Sequence, residues 1–102
     1  LTASVSQSDV ANIADIAQTG GSDLAANVFQ DGNTNMATVA QTGGSFNTAD
    51  ISQEGDAAFA VAKVTQDGGL NNMATVLQQG TSAVATISQI GGSNNSASIA
   101  QH

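Results

Sequence analysis

The sequence predicts an all-β fold, a two-sheet parallel β-solenoid (cross-β) of nine strands with about 23 residues in each two-strand coil. Three observations predict it: a five-residue pattern that recurs nine times, glycines at a fixed distance after most copies, and an alternation between two kinds of connection. Self-similarity at a fixed period is the sequence signature of a solenoid, in which each unit buries its apolar face against the next.

The strands are predicted by the pattern Ala-x-(Val/Ile)-x-Gln. Its copies begin at Ala3, Ala14, Ala26, Ala37, Ala49, Ala62, Ala74, Ala85 and Ala97. They end at Gln7, Gln18, Gln30, Gln41, Gln53, Gln66, Gln78, Gln89 and Gln101. Fixed residues alternate with variable ones, which is the period of a strand with one buried face and does not fit a helix.

The connections between strands are predicted to be tight arcs with glycine two residues after the glutamine, where a positive φ is easily adopted. These arc glycines are Gly20, Gly32, Gly43, Gly55, Gly68, Gly80 and Gly91. Glycine pairs follow only the even-numbered strands and single glycines only the odd-numbered ones, so one coil contains two strands. We expect a single domain with coils at about 1–23, 24–46, 47–71 and 72–94 and a half coil at 95–102.

The position two residues before each alanine supports the two-strand coil. It holds Leu or Asn in odd strands (Leu1, Leu24, Asn47, Asn72, Asn95) and Asn or Ala in even strands (Asn12, Asn35, Ala60, Ala83). Sorted in this way, like residues lie on like residues in adjacent layers, as stacked inward amides require. We therefore expect amide ladders that contain the nine glutamines together with Asn12, Asn35, Asn47, Asn72 and Asn95.

Composition excludes several classes of function. The chain of 102 residues has a net charge of −7, and Lys63 is its only strong base, so it offers no basic patch for nucleic acid or for an anionic membrane surface. It has no cysteine, only 3% aromatic residues and no apolar run long enough to insert in a membrane. Because it begins at Leu1, we interpret it as a mature or trimmed form.

One stretch carries a family resemblance. Gln30-x-Gly32-x-x-Asn35-x-Ala37-x-x-x-Gln41 is similar to the curlin repeat of bacterial curli subunits, and relaxed copies cover the whole chain. The resemblance implies secretion through outer-membrane machinery, assembly with a nucleator subunit, and head-to-tail fibres on the bacterial surface that serve biofilm matrix and adhesion. Curlin units usually have Ser at the position where the odd strands of this chain have Leu or Asn. The resemblance leaves open whether the chain is a major subunit or a nucleator.

Other interpretations are weaker. Residues 31–35 have the spacing that opens a calcium loop, but Met36 and the residue at position 42 do not continue it, so we expect no metal and no cofactor. His102 lies at the chain end, where nothing fixes it as part of a catalytic triad, and we expect no enzyme. An ice-binding solenoid would need a Thr-x-Thr array, which only the layer of Lys63 and Thr65 approaches. A non-polymerising segment of a surface adhesin is the main alternative, although no end cap is visible in the sequence.

Overall fold

A computed structural model of the chain describes residues 1–54 and 58–102. Its strands are β1 (Thr2–Ser8), β2 (Ile13–Thr19), β3 (Ala25–Asp31), β4 (Met36–Thr42), β5 (Thr48–Gln53), β6 (Val61–Asp67), β7 (Met73–Gln78), β8 (Val84–Ile90) and β9 (Ser96–Gln101). The predicted fold class is confirmed. No helix occurs in the described ranges, and hence none that is long and apolar enough to cross a membrane. The predicted arc residue Gly55 lies outside the described residues.

The strands form two parallel sheets that alternate along the chain. The five-stranded sheet has the order β1-β3-β5-β7-β9, and the four-stranded sheet has the order β2-β4-β6-β8. Pairing is in register with the repeat, so that Gln7 pairs with Gln30 and Ala37 pairs with Ala62. Consecutive strands lie in opposite sheets, and each layer of the solenoid is therefore one two-strand coil.

The core is a thin slab between the sheets, filled by the Ala and Val/Ile positions of the repeat. Interior members such as Ala37, Val39 and Val64 are fully buried. The aromatic side chains stay outside, since Phe29, Phe46 and Phe59 all lie among the exposed residues. Small inward side chains let the two sheets approach closely, which brings the polar residues at the strand ends within reach of the opposite sheet.

The arcs depend on left-handed backbone conformations. Of the predicted arc glycines, those with positive φ are Gly20, Gly32, Gly43, Gly68 and Gly91. The expectation of positive φ is wrong for Gly80, where close approach instead requires glycine, because a Cβ would lie 2.8 Å from the carbonyl carbon of His102.

Each arc also contains a left-handed residue that is not glycine, three positions before the next alanine of the repeat. These residues are Ala11, Asp23, Thr34, Phe46, Phe59, Asn71, Ser82 and Asn94. Single left-handed residues of this kind are unusual for side chains other than Asn and Asp, and they carry a steric cost. The constant position shows that the backbone turn, rather than the side chain, is what recurs from arc to arc.

Candidate functional site

The most prominent polar feature is a pair of glutamine ladders, one at the end of each sheet's strands. In the interior, Gln30 Nε2 donates to Gln53 Oε1 at 2.8 Å, and Gln53 Nε2 donates to Gln78 Oε1 at 2.8 Å. The other sheet repeats the arrangement, with Gln41 donating to Gln66 at 2.7 Å. Every such contact runs in the same direction, from the earlier layer to the later one.

The same glutamines also join the two sheets. Gln30 Nε2 donates to the carbonyl of Ile13 at 3.0 Å, and Gln78 Nε2 donates to the carbonyl of Val61 at 3.0 Å, each across the core. A carboxamide has two N–H donors, so one serves the next layer while the other serves the opposite sheet. In each case the carbonyl belongs to the first residue of the facing strand.

The burial of these glutamine amides leaves none of their polar atoms without a hydrogen-bond partner. Gln30, Gln41, Gln53, Gln66 and Gln78 are fully enclosed. Among the described residues, no buried side-chain nitrogen or oxygen atom lacks a hydrogen-bond partner. An unsatisfied buried polar group costs about 1–3 kcal/mol, so each layer depends on its neighbours to avoid that cost.

The asparagines behave differently from the predicted amide-to-amide ladder. Asn72 receives a hydrogen bond from the backbone N–H of Asn95 on its Oδ1 at 3.1 Å, and its own backbone N–H donates to Asn47 Oδ1 at 3.1 Å. The side-chain N–H groups of Asn47 and Asn95 donate to carbonyls of the arc glycines Gly68 and Gly91. These asparagines contact one another from layer to layer, but each contact joins a backbone N–H to a side-chain oxygen, so the side chain satisfies the backbone where it leaves the arc.

The outermost layers contain the same residue types without the same burial. Val5, an inward position of β1, is 48% exposed, and Gln7 beside it is exposed, whereas their counterparts Val28 and Gln30 are buried. At the other end, Gln101 is half-buried and Asn95 is exposed. The layers at both ends of the described solenoid thus present core residues to solvent.

The two ends differ chemically because the ladders have one direction. At the β1 end, Gln7 and Gln18 donate inward to Gln30 and Gln41, which leaves their Oε1 atoms on the outer side. At the β9 end, Gln101 Oε1 accepts from Gln78, and its Nε2 donates to the Val84 carbonyl, which leaves its second N–H for an outer layer. One end therefore offers acceptors and the other offers donors.

The remaining sequence candidates do not come together as a site. His102 Nδ1 lies 2.8 Å from Gln79 Oε1 at the surface. Within the described ranges, no three Asp, Glu or His side chains lie close enough to hold a metal ion.

One surface feature of the solenoid is not among those predicted from the sequence. An exposed apolar column runs along the outer face of the four-stranded sheet at the position before each alanine, namely Ile13, Met36, Val61 and Val84. The sequence carries the signal, since this position is aliphatic in every even strand and mostly small or polar in the odd ones.

Two segments of the chain are similar to a known protein family. The curlin associated repeat matches residues 21–55 and 69–102, which together cover more than half of the chain. No curated protein and no solved structure matches it. The matched segments contain six of the nine ladder glutamines, namely Gln30, Gln41, Gln53, Gln78, Gln89 and Gln101, and the curlin repeat is structural rather than enzymatic. The chain belongs to the curlin repeat family.

Proposed function

We propose that this chain is the structural subunit of an extracellular, curli-like amyloid fibre on the bacterial surface, where the fibre serves biofilm matrix and adhesion. The observation that carries the proposal is the complementarity of the two solenoid ends, acceptors on Gln7 and Gln18 against donors on Gln89 and Gln101. Unpaired strand edges of this kind template the addition of another chain. The partner of the chain is another copy of itself, with a nucleator subunit and the outer-membrane secretion machinery as further partners.

Addition of a subunit extends both the ladders and the core. A strand placed beyond β1 covers Val5 and Gln7, which are exposed in the isolated chain although the same positions are buried one layer further in. Burial of a Val side chain contributes roughly 1.5–3 kcal/mol, and each new ladder contact adds a further hydrogen bond. Head-to-head stacking would instead oppose acceptors with acceptors, so the ladder direction favours head-to-tail growth.

The first test is assembly of these 102 residues after release from denaturant. We expect fibres with a lag that preformed seeds shorten, and a diffraction ring near the strand spacing of about 4.7–4.8 Å. Seeds of an unrelated amyloid serve as the control and should leave the lag unchanged. A monomer that stays soluble for days at high concentration would contradict the proposal and favour the adhesin segment.

The strand count makes a geometric prediction for such fibres. Because β1 and β9 belong to the same sheet, the vacant strand position next to β9 lies in the opposite sheet, beyond β8. The first strand of the next subunit occupies that position with the correct direction after a rotation of about half a turn. The axial step is then about 21–22 Å, which is four and a half strand spacings. A fibre reconstruction measures both quantities. Subunits related by a pure translation would contradict this junction.

A further inference from the structure

The outer face of the five-stranded sheet has a depression of about 530 Å³. Phe29, Ser52 and Leu77 stand in one column on adjacent strands, so the small Ser52 lies between two large side chains. Asp50 lines the depression and accepts a hydrogen bond from Asn27, and Glu54 accepts one from the hydroxyl of Ser52. We call this feature the slot: an opening the width of one side chain, with apolar ends and two carboxylates at its sides.

The outer face of the four-stranded sheet has the opposite character. Its exposed column of Ile13, Met36, Val61 and Val84, here called the aliphatic stripe, crosses all four strands of that sheet. Lys63, two residues after Val61, points outward between Thr38 and Thr86 in the adjacent column. It is the only strong base in the sequence. Among the described residues it has no ion-pair partner on its own chain.

The topology determines which columns meet when two solenoids lie side by side. Strands of the two sheets run in opposite directions, since Gln30 at the end of β3 lies against Ile13 at the start of β2. When the five-stranded face of one copy packs on the four-stranded face of a parallel copy, the column of Ser52 therefore faces the column of Lys63. The aliphatic stripe then lies directly beside Phe29 and Leu77.

We propose that the slot receives Lys63 of a second copy of this chain, which joins solenoids laterally through unlike faces. The methylene stem of Lys63 lies between Phe29 and Leu77, and its ammonium group reaches the carboxylates of Asp50 and Glu54. The aliphatic stripe covers the apolar ends of the slot. Layer spacing is the same on both faces, so the contact recurs in every subunit along two parallel fibres. The inference goes beyond longitudinal growth, because it uses the faces and not the ends.

Contacts between like faces are less favourable. Two five-stranded faces would oppose Asp50 with Asp50, and two four-stranded faces would oppose Lys63 with Lys63 while leaving both slots unfilled. Like charges placed opposite each other across an interface are destabilising, whereas complementary charges also set its register. A contact between unlike faces is heterologous, so it leaves a free slot and a free stripe on every bundle and can continue to grow sideways.

The test separates bundling from growth. Fibres of Lys63→Glu and fibres of the double variant Asp50→Lys/Glu54→Lys are each grown alone, and the fraction of fibres in bundles is counted by electron microscopy. We expect growth rates close to those of the parent chain and bundling reduced several-fold in both variants, because each makes the two faces alike in charge. When the two kinds of fibre are mixed, we expect bundling to return, since the acidic side chain of one now fits the basic slot of the other.

Controls distinguish this contact from general charge repulsion. Ser22→Asp/Ser93→Asp lowers the net charge as much as Lys63→Glu does, but both serines are exposed in arcs away from the two faces. Bundling should persist in that variant. Unchanged bundling in both slot and Lys63 variants, or no recovery on mixing, would overturn the lateral contact while leaving the fibre proposal intact. If no variant forms fibres, the same comparison is made by sedimentation of the soluble chains. We then expect the parent chain and the mixture to self-associate.

Discussion

The two edges of the solenoid connect the same two sheets in different ways. At the glycine-pair edge, every arc spans the same number of residues, and the arcs stack through parallel bridges that join Ser22, Ser45, Leu70 and Ser93. At the single-glycine edge, the arcs differ in length, and the only bridge within the described part of the chain joins Asn33 and Ala58. Equal length lets the bridged backbone ladder continue around the arc, whereas at the single-glycine edge the described arcs are joined by fewer backbone hydrogen bonds, such as that from the N–H of Thr34 to the carbonyl of Val10.

The difference changes which groups hold the layers together. At the glycine-pair edge, backbone groups connect successive arcs directly, as when the N–H of Gly68 donates to the carbonyl of Thr42 at 2.7 Å. Both edges have a glutamine ladder, but at the single-glycine edge the ladder of Gln30, Gln53 and Gln78 connects layers between which arc bridges are few. We infer that the first edge is sensitive to backbone crowding and the second to loss of a side-chain amide.

The largest effect is expected from Gly44→Ala. A Cβ at this position would lie 2.5 Å from the Gly69 carbonyl oxygen and 2.7 Å from Asn47 Nδ2, so the stacked arcs would have to separate. Gly43→Ala is the matched control, since its φ is also positive but nothing lies within 4 Å of its Cβ. We expect the control to cost about 1–2 kcal/mol from the left-handed backbone alone. Gly44→Ala should cost more and sharply slow fibre growth, and equal denaturant midpoints for the two fibres would contradict the crowding argument.

The next effect concerns Gln53→Leu at the single-glycine edge. The substitution removes the acceptor of Gln30 and the donor to Gln78, and it also leaves the carbonyls of Met36 and Ala60 without this partner. Each buried group left unpaired costs about 1–3 kcal/mol, so we expect slower fibre growth and a lower denaturant midpoint. Gln79→Leu is the same substitution at an exposed position outside the ladder and should change little. Equal growth of the two variants would mean that the ladder does not hold this edge.

The comparison of edges also shows what the sequence could and could not predict. Strand positions and the burial of Gln53 follow from the period-two pattern, because only one register puts every Ala, Val and Gln on the inner face. The asparagine contacts could not be predicted in the same way, since Asn47 and Asn72 bond to backbone groups whose positions depend on the path of the arc. A left-handed residue such as Phe46 gives no compositional signal either, because the layer above and below imposes its conformation.

The smallest effect tests whether the two edges impose the same backbone cost. Thr34 at the single-glycine edge and Asn71 at the glycine-pair edge are both exposed and left-handed, with φ of 59° and 55°. Each donates its backbone N–H to the layer before it at 2.9 Å, Thr34 to Val10 and Asn71 to Ser45. Asn tolerates this conformation better than a β-branched residue, so Thr34→Asn should stabilise the fibre and Asn71→Thr should destabilise it, each by about 1 kcal/mol. Denaturant midpoints of the two fibres measure the change, and the exchange of both residues in one chain should restore the parent value.

Opposite shifts of similar size would show that the left-handed turn is the same element at both edges. A shift confined to Asn71→Thr would instead mean that the unequal arcs relax around Thr34 and do not impose its conformation.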